Sequence, residues 1–342
     1  MIRVENLEKY YGDIHALKGI DFEIDDGEIV GFLGANGAGK STTLKIMTGF
    51  LAPSAGNVFI DDLNIQDHSL DIREQIGYLP EMNPLYGEMR VYDYLEFISQ
   101  VRGIDAGEFK TALDRVVDQC GLRDVIHLPI SACSKGYKQR VGLSAAILHD
   151  PKVLIFDEPV SGLDPNQIVE IRNLIRELGQ QKMVIISSHI LQEIEATVDR
   201  IVIIDHGEIV ANGTSQELMA GFMGRTQLTL DVKYANEESL AELTNSVDEI
   251  EVANIEVVDG HSVLSIEYAR EMDPREAIFD YAKNSGWAIL EMTQKQVHLE
   301  DVFRGLTGEG GGDECDGDLS QRSRRVFQKS HGVYFFGIFR PI

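Results

Sequence analysis

A glycine-rich octapeptide, Gly34-Ala35-Asn36-Gly37-Ala38-Gly39-Lys40-Ser41, lies between an apolar run and a helix-forming run, and few folds accommodate that order. Ile29-Val30-Gly31-Phe32-Leu33 reads as a buried strand, and Thr42-Thr43-Leu44-Lys45-Ile46-Met47 as the helix leaving the turn. The pattern G-x-x-x-x-G-K-[ST] is a phosphate-binding loop. Its glycines let successive backbone N–H groups converge on a phosphate, and the helix N-terminus adds partial positive charge. Gly34, Asn36, Gly37, Ala38, Gly39 and Thr42 are therefore candidate nucleotide contacts. Lys40 is expected on the β- and γ-phosphates of ATP, and the Ser41 hydroxyl on Mg²⁺.

The rest of the chain fits an α/β fold around that loop. Short β-like runs fill Ile2 to Ile60, and between Arg90 and Cys120 the apolar spacing becomes helical, giving a helical insert at about 85–135. Near-continuous apolar strands then return at Val153–Phe156, Met183–Ile186 and Ile201–Ile204, which predicts a mostly parallel sheet covered on both faces. After Gly213 a smaller unit begins. Its pattern is strand Gln227–Tyr234, helix Glu238–Thr244, a hairpin through Asp259-Gly260, helix Pro274–Asn284 and strand Ala288–Thr293. That β-α-β-β-α-β order is ferredoxin-like. The expected division is a nucleotide-binding domain at 1–221, a small α+β domain at 222–308 and a flexible tail at 309–342 that opens on an acidic glycine-rich stretch. Beyond this linker, Arg322, Arg324, Arg325 and Lys329 stand beside an aromatic run, a composition that can touch an anionic membrane surface.

A formal net charge of −25 on 342 residues argues against nucleic acid as a partner, since such proteins gather Lys and Arg into a basic field. Three widely spaced cysteines make neither a metal pattern nor a disulfide framework, and a reducing compartment is expected. No apolar stretch approaches the roughly 20 residues of a membrane span, so the expectation is a cytoplasmic protein, soluble or peripheral.

Val153-Leu154-Ile155-Phe156 ends in Asp157-Glu158. Adjacent carboxylates repel, so a cation must be close or one of them must do separate work. With a phosphate loop present, Asp157 is placed to orient the Mg²⁺ shell and Glu158 to polarise the water that attacks the γ-phosphate.

Three further segments carry a family resemblance. Ser134-Lys135-Gly136-Tyr137-Lys138-Gln139-Arg140-Val141 resembles the signature motif of ATP-binding cassette ATPases, Ser161-Gly162-Leu163-Asp164 resembles their D-loop, and Ser187-Ser188-His189 their switch histidine, in the family's order. The resemblance covers Met1 to about Gly221. It implies that Tyr11 stacks on adenine, that Glu158 is the catalytic carboxylate and His189 the γ-phosphate sensor, and that Asp164 belongs to the nucleotide interface. It also implies a head-to-tail dimer in which Ser134 and Gly136 of one copy cover the nucleotide held by the other copy's Lys40. Glu81 stands where the family usually carries a Mg²⁺-ligating glutamine, Cys133 replaces a leucine, and Lys135 and Tyr137 replace a glycine and a glutamine. Tyr78-Leu79-Pro80-Glu81 and Leu299-Glu300-Asp301-Val302-Phe303 resemble an exporter branch that includes gliding-motility and multidrug subunits. The implied role is an ATP-hydrolysing subunit that powers export through a separate membrane permease and is held peripherally on the cytoplasmic face. Cassette ATPases of DNA repair carry a long coiled coil where this chain has a short insert, and the ribosome-associated class carries two phosphate loops where this chain has one. No residue of the tail matches a nucleotide role. Truncation after Gly308 is expected to leave steady-state ATP turnover within about two-fold, because such extensions seldom support a remote core.

Overall fold

The computed structural model describes residues 1–222, 225–247, 250–258, 260–269, 272–295 and 299–307. The tail from 308 onward, with its basic and aromatic stretch, and Asp259 of the hairpin turn lie outside the described residues. The described chain divides into two compact units, one of Met1–Ser215 with Leu306 and Thr307, the other of residues from Gln216 to Gly305.

The first unit holds two sheets. Strands β1 (Ile2–Tyr11), β2 (Ile14–Ile24), β4 (Ala55–Ile60) and β5 (Leu63–Asn64) form an antiparallel sheet in the order β2-β1-β4-β5. A six-stranded sheet is built from β3 (Ile29–Leu33), β6 (Ile76–Leu79), β7 (Val153–Asp157), β8 (Met183–Ser188), β9 (Arg200–Asp205) and β10 (Glu208–Gly213). Its order is β10-β9-β3-β8-β7-β6, and only β10 runs antiparallel to its neighbour. Every residue of β3, β7 and β8 is buried, as strands covered on both faces require. The core joins both sheets through Ile2, Leu17, Phe22, Phe32, Leu44, Ile155 and Ile185.

Between β6 and β7 the chain makes the helical insert. Val91–Val101 and Ala106–Gln119 bury Val91, Tyr94, Leu95, Phe109, Leu113 and Val116 at helical spacing, whereas Val101, which the same spacing marks, lies at the end of its helix and is exposed. Helix Lys135–Ile147 returns the chain to the sheet and packs tightly on Gly77 of β6. A Cβ there would collide with the Ala146 carbonyl and meet Leu154 and Pro151 side-chain atoms at 2.8 and 2.9 Å.

In the second unit, β11 (Arg225–Lys233), β12 (Ile250–Val258), β13 (His261–Ala269) and β14 (Ala288–Lys295) make an all-antiparallel sheet in the order β12-β13-β11-β14. With helices Glu237–Ser246 and Arg275–Asn284 this is the expected ferredoxin-like arrangement, strands numbered 4-1-3-2 within the unit. Leu228, Leu230, Leu243, Ile266, Tyr268, Ile278 and Trp287 form its core. A capping box at Asn236 and Ser239 starts the first helix. Ser239 also takes hydrogen bonds from the Tyr281 hydroxyl on its carbonyl (2.6 Å) and from the Trp287 indole on its hydroxyl (3.1 Å).

The packing at Gly77 gives a direct test of the first unit. Gly77→Ala forces the β6 backbone and helix Lys135–Ile147 apart, at an overpacking cost of about 1–3 kcal/mol, and the midpoint of urea unfolding is expected to fall accordingly.

Candidate nucleotide site

The central sheet places four chemical segments side by side. The glycine-rich loop follows β3, Ser188 and His189 close β8, Asp157 and Glu158 close β7, and Glu81 lies two residues beyond β6. These strands are consecutive neighbours, β3-β8-β7-β6, and the register aligns Phe32 with Ser187 and Ser187 with Asp157. All four segments therefore leave the sheet at its carboxyl end, where ligands bind in open α/β sheets.

A cavity of about 280 Å³ opens there, lined by Ala16, Asn36, Gly37, Gly39, Lys40, Ser41, Thr42, Glu81, Glu158 and His189. Gly37 and Gly39 have φ of 83° and 116°, values that favour glycine, and Gly39 also lies against Leu17 and the Ala16 carbonyl. Helix Lys40–Met47 starts directly behind them and points its N-terminus at the cavity.

The charged groups are buried and mutually satisfied. Lys40 Nζ donates to the carbonyls of Gly34 at 2.6 Å and Ala35 at 3.2 Å, and stands 3.8 Å from Glu158 Oε1. His189 Nδ1 lies 3.0 Å from Glu158 Oε2, and since a carboxylate accepts, the imidazole is the donor in that contact. Burial pushes the Glu158 carboxyl above the usual carboxylate range, against the lowering influence of His189 and Lys40. Asp157 Oδ1 accepts from the Ser187 hydroxyl at 2.5 Å and from Ser41 Oγ at 3.3 Å. Ser187 Oγ in turn accepts from the Glu158 amide at 3.0 Å, so one hydroxyl fixes both carboxylate residues.

Tyr11 lies outside that lining. It is 46% exposed and pairs with Ile14 across the β1–β2 hairpin, with Lys9 Nζ 5.4 Å from its ring centre. Tyr10 stacks on His15 at 4.0 Å, so the next pair, Tyr11 and Ile14, lies on the opposite face, and Ala16 is the extra residue where the register shifts between the Lys9–Leu17 and Tyr10–His15 pairs. Ala16 lines the cavity, and Ile14 is 68% exposed. Ser134, Gly136 and Asp164 are also outside the lining. Ser134 caps helix Lys135–Ile147, its hydroxyl accepting from the Tyr137 amide at 3.3 Å, and Asp164 caps helix Pro165–Gly179 by accepting from the Gln167 amide at 3.0 Å. Sequence reading assigned no role to Ala16 or Ser187. The available signal for Ser187 was a hydroxyl at the buried end of an otherwise apolar strand.

Known proteins resemble the chain along most of its length. An ABC transporter profile matches residues 17–161. The linearmycin resistance ATP-binding protein LnrL of Bacillus subtilis is 32% identical over 90% of this chain and 98% of its own. The bacitracin transport ATP-binding protein BcrA of Enterococcus faecalis is 30% identical over 91% of this chain and 97% of its own. The chain belongs to the family of ABC transporter ATP-binding proteins. The dimeric post-hydrolysis structure of the ATP-binding cassette MJ0796, bound to ADP and phosphate, shares the fold at a TM-score of 0.58 and 24% identity, over 63% of this chain and 98% of that one. In this member of an ATPase family the loop lysine Lys40, Glu158 and His189 line one cavity at the carboxyl end of the sheet.

The raised Glu158 carboxyl sets a pH signature. A carboxylate whose folded pKa lies above its unfolded value is penalised when charged, so the penalty is absent below the unfolded pKa and is complete once pH has risen through the folded one. Glu158→Gln removes that penalty. Without nucleotide, the variant is expected to melt above the parent near neutral pH, and the difference is expected to shrink as pH is lowered from about 8 toward about 5 in scanning calorimetry.

Proposed function

We propose that this ATP-binding protein hydrolyses MgATP as a head-to-tail dimer on the cytoplasmic face of a separate membrane permease, and that the cycle drives export. The observation that carries the reading is the convergence of Lys40, Ser41, Asp157, Glu158, His189 and Glu81 at four adjacent strand ends. The relatives named for linearmycin resistance and bacitracin transport support a role in moving compounds across a membrane, with resistance favouring export. Among the described residues no helix is long and apolar enough to cross a membrane.

Each residue has a defined task. The loop amides and Lys40 hold the β- and γ-phosphates, and Lys40 exchanges its carbonyl contacts for phosphate oxygens. Ser41 and Glu81 line the cavity and Asp157 stands behind Ser41 at 3.3 Å, hard oxygen donors of the kind Mg²⁺ takes. A bound Mg²⁺ would neutralise charge building on the phosphates. Glu158 accepts a proton from the attacking water, and its elevated carboxyl makes it a better base than a solvated glutamate. His189 holds the Glu158 carboxylate and faces the cavity, where it can meet the γ-phosphate. Tyr11 and Ile14 supply an apolar face for the base, beside Ala16.

Exposed Ser134 completes the site from the second copy, with Gly136 presenting its backbone N–H and Asp164 nearby in the interface. The dimeric cassette of known structure supports that assembly. A pair of variants tests the whole scheme. Glu158→Gln preserves shape but removes the base, at a cost of about 10²–10⁴ in rate, so the variant is expected to accumulate as an ATP-bound dimer. Adding Ser134→Arg places a bulky cation in a close contact and is expected to return it to monomer in light scattering. Dimers that form regardless of Ser134 would place the interface elsewhere.

A further inference from the structure

The helix Lys135–Ile147 is fastened along one face to the segment that follows Glu158. Its positions 135, 136, 139 and 140 recur at helical spacing, and each meets a residue between 159 and 170. Lys135 Nζ lies against Gly162, and a Cβ at Gly136 would collide with the Gln167 amide. Arg140 pairs with Glu170. The Gln139 side-chain amide donates to the Pro159 carbonyl at 2.8 Å.

The last contact falls one residue beyond Glu158, and Glu158 is backbone-strained. Its φ of 51° lies in the left-handed region, costly for a residue with a long side chain and kept only where the surroundings hold it. Three bonds do so. The Glu158 amide donates to Ser187 Oγ at 3.0 Å, the Glu158 carbonyl accepts from the Ser161 amide at 3.2 Å, and Gln139 fixes the Pro159 carbonyl. Ser187 restrains the turn from the sheet side and Gln139 from the signature helix. Proline has no N–H, so a restraint on residue 159 must act through its carbonyl.

We propose that Gln139 is a positioning residue for ATP hydrolysis, holding the strained turn so that the Glu158 carboxylate points into the cavity. The role rests on Glu158 acting as the base. The helix that carries Gln139 begins at Ser134, so the element offered to the partner copy's nucleotide also sets the carboxylate of its own subunit.

The test uses the full chain. Gln139→Glu keeps the shape but replaces the donor with a carboxylate facing the Pro159 carbonyl, and Gln139→Met keeps length without any donor; if the first fails to fold, the second is read instead. Either is expected to lower kcat about ten-fold while the KM for MgATP and the ATP affinity by calorimetry stay within about two-fold, as misplacement of a reacting group does. A merely structural role would not show the second readout. In a Glu158→Gln background, single-turnover hydrolysis of radiolabelled ATP is expected to change by less than about two-fold on adding the Gln139 substitution, because the carboxylate it positions is gone. Unchanged kcat in the folded single variant, or losses that multiply in the double variant, would overturn the proposal. Should Glu158→Gln alone retain parental turnover, the base assignment fails first, and the positioning role falls with it.

Discussion

Two adjacent carboxylates, Asp157 and Glu158, leave the end of a fully buried strand, and keeping them there determines what the neighbouring chain must supply. Buried charges persist only when paired or hydrogen-bonded. Asp157 is satisfied by two hydroxyls, from Ser187 on the adjacent strand and Ser41 at the start of the loop helix. Glu158 is held by His189 at 3.0 Å and lies 3.8 Å from Lys40. Lys40 therefore has two tasks before any nucleotide arrives. It donates to its own loop through the Gly34 and Ala35 carbonyls, and it lowers the cost of a carboxylate that burial disfavours.

That balance depends on strand order. β8 must lie between β3 and β7 for Ser187 to face Asp157 and for His189 to arrive above Glu158, although β8 is the last of the three in sequence. β6 adds Glu81 at the next position, and the long excursion between β6 and β7 accommodates the helical insert without disturbing the ladder. The same excursion delivers the signature helix, packed against β6 at Gly77 and against the turn after Glu158 at Gln139. That helix is thus tied to the central layer at two points along its length.

Local chemistry was legible in the sequence because its signals are short. The octapeptide from Gly34 to Ser41, the apolar strand ending in Asp157-Glu158 and the periodic helices of the insert each carry their meaning within a dozen residues. The ferredoxin-like strand and helix order of the second unit was equally readable, since alternation in Leu228, Leu230 and Val232 and the helical spacing around Ile278 are local patterns. What escaped depends on distant register. Ala16 reaches the cavity because β2 folds over the loop, with the Lys18 amide bonded to the Gly207 carbonyl, a contact 189 positions apart that no local pattern announces. Ser187 looked like one hydroxyl of a motif, and only the alignment of β8 with β7 gives it both carboxylate residues.

The departures from the family's usual residues have a physical counterpart. Lys135 occupies a position where the signature motif normally carries glycine, and its ammonium lies against Gly162, itself at a φ of 67°. A side chain at 162 would meet backbone strain at that φ, whereas the exposed Lys135 chain can swing aside, so the glycine is required by the turn and not by the lysine. Lys135 itself is exposed, which keeps its charge hydrated and makes the contact one of shape more than of electrostatic attraction. Glu81 is exposed as well, on the rim of the cavity that Glu158 lines from its buried side. A carboxylate at that position keeps its hydration and is screened by solvent, so the exchange of a neutral amide for a charge is tolerated without a buried partner.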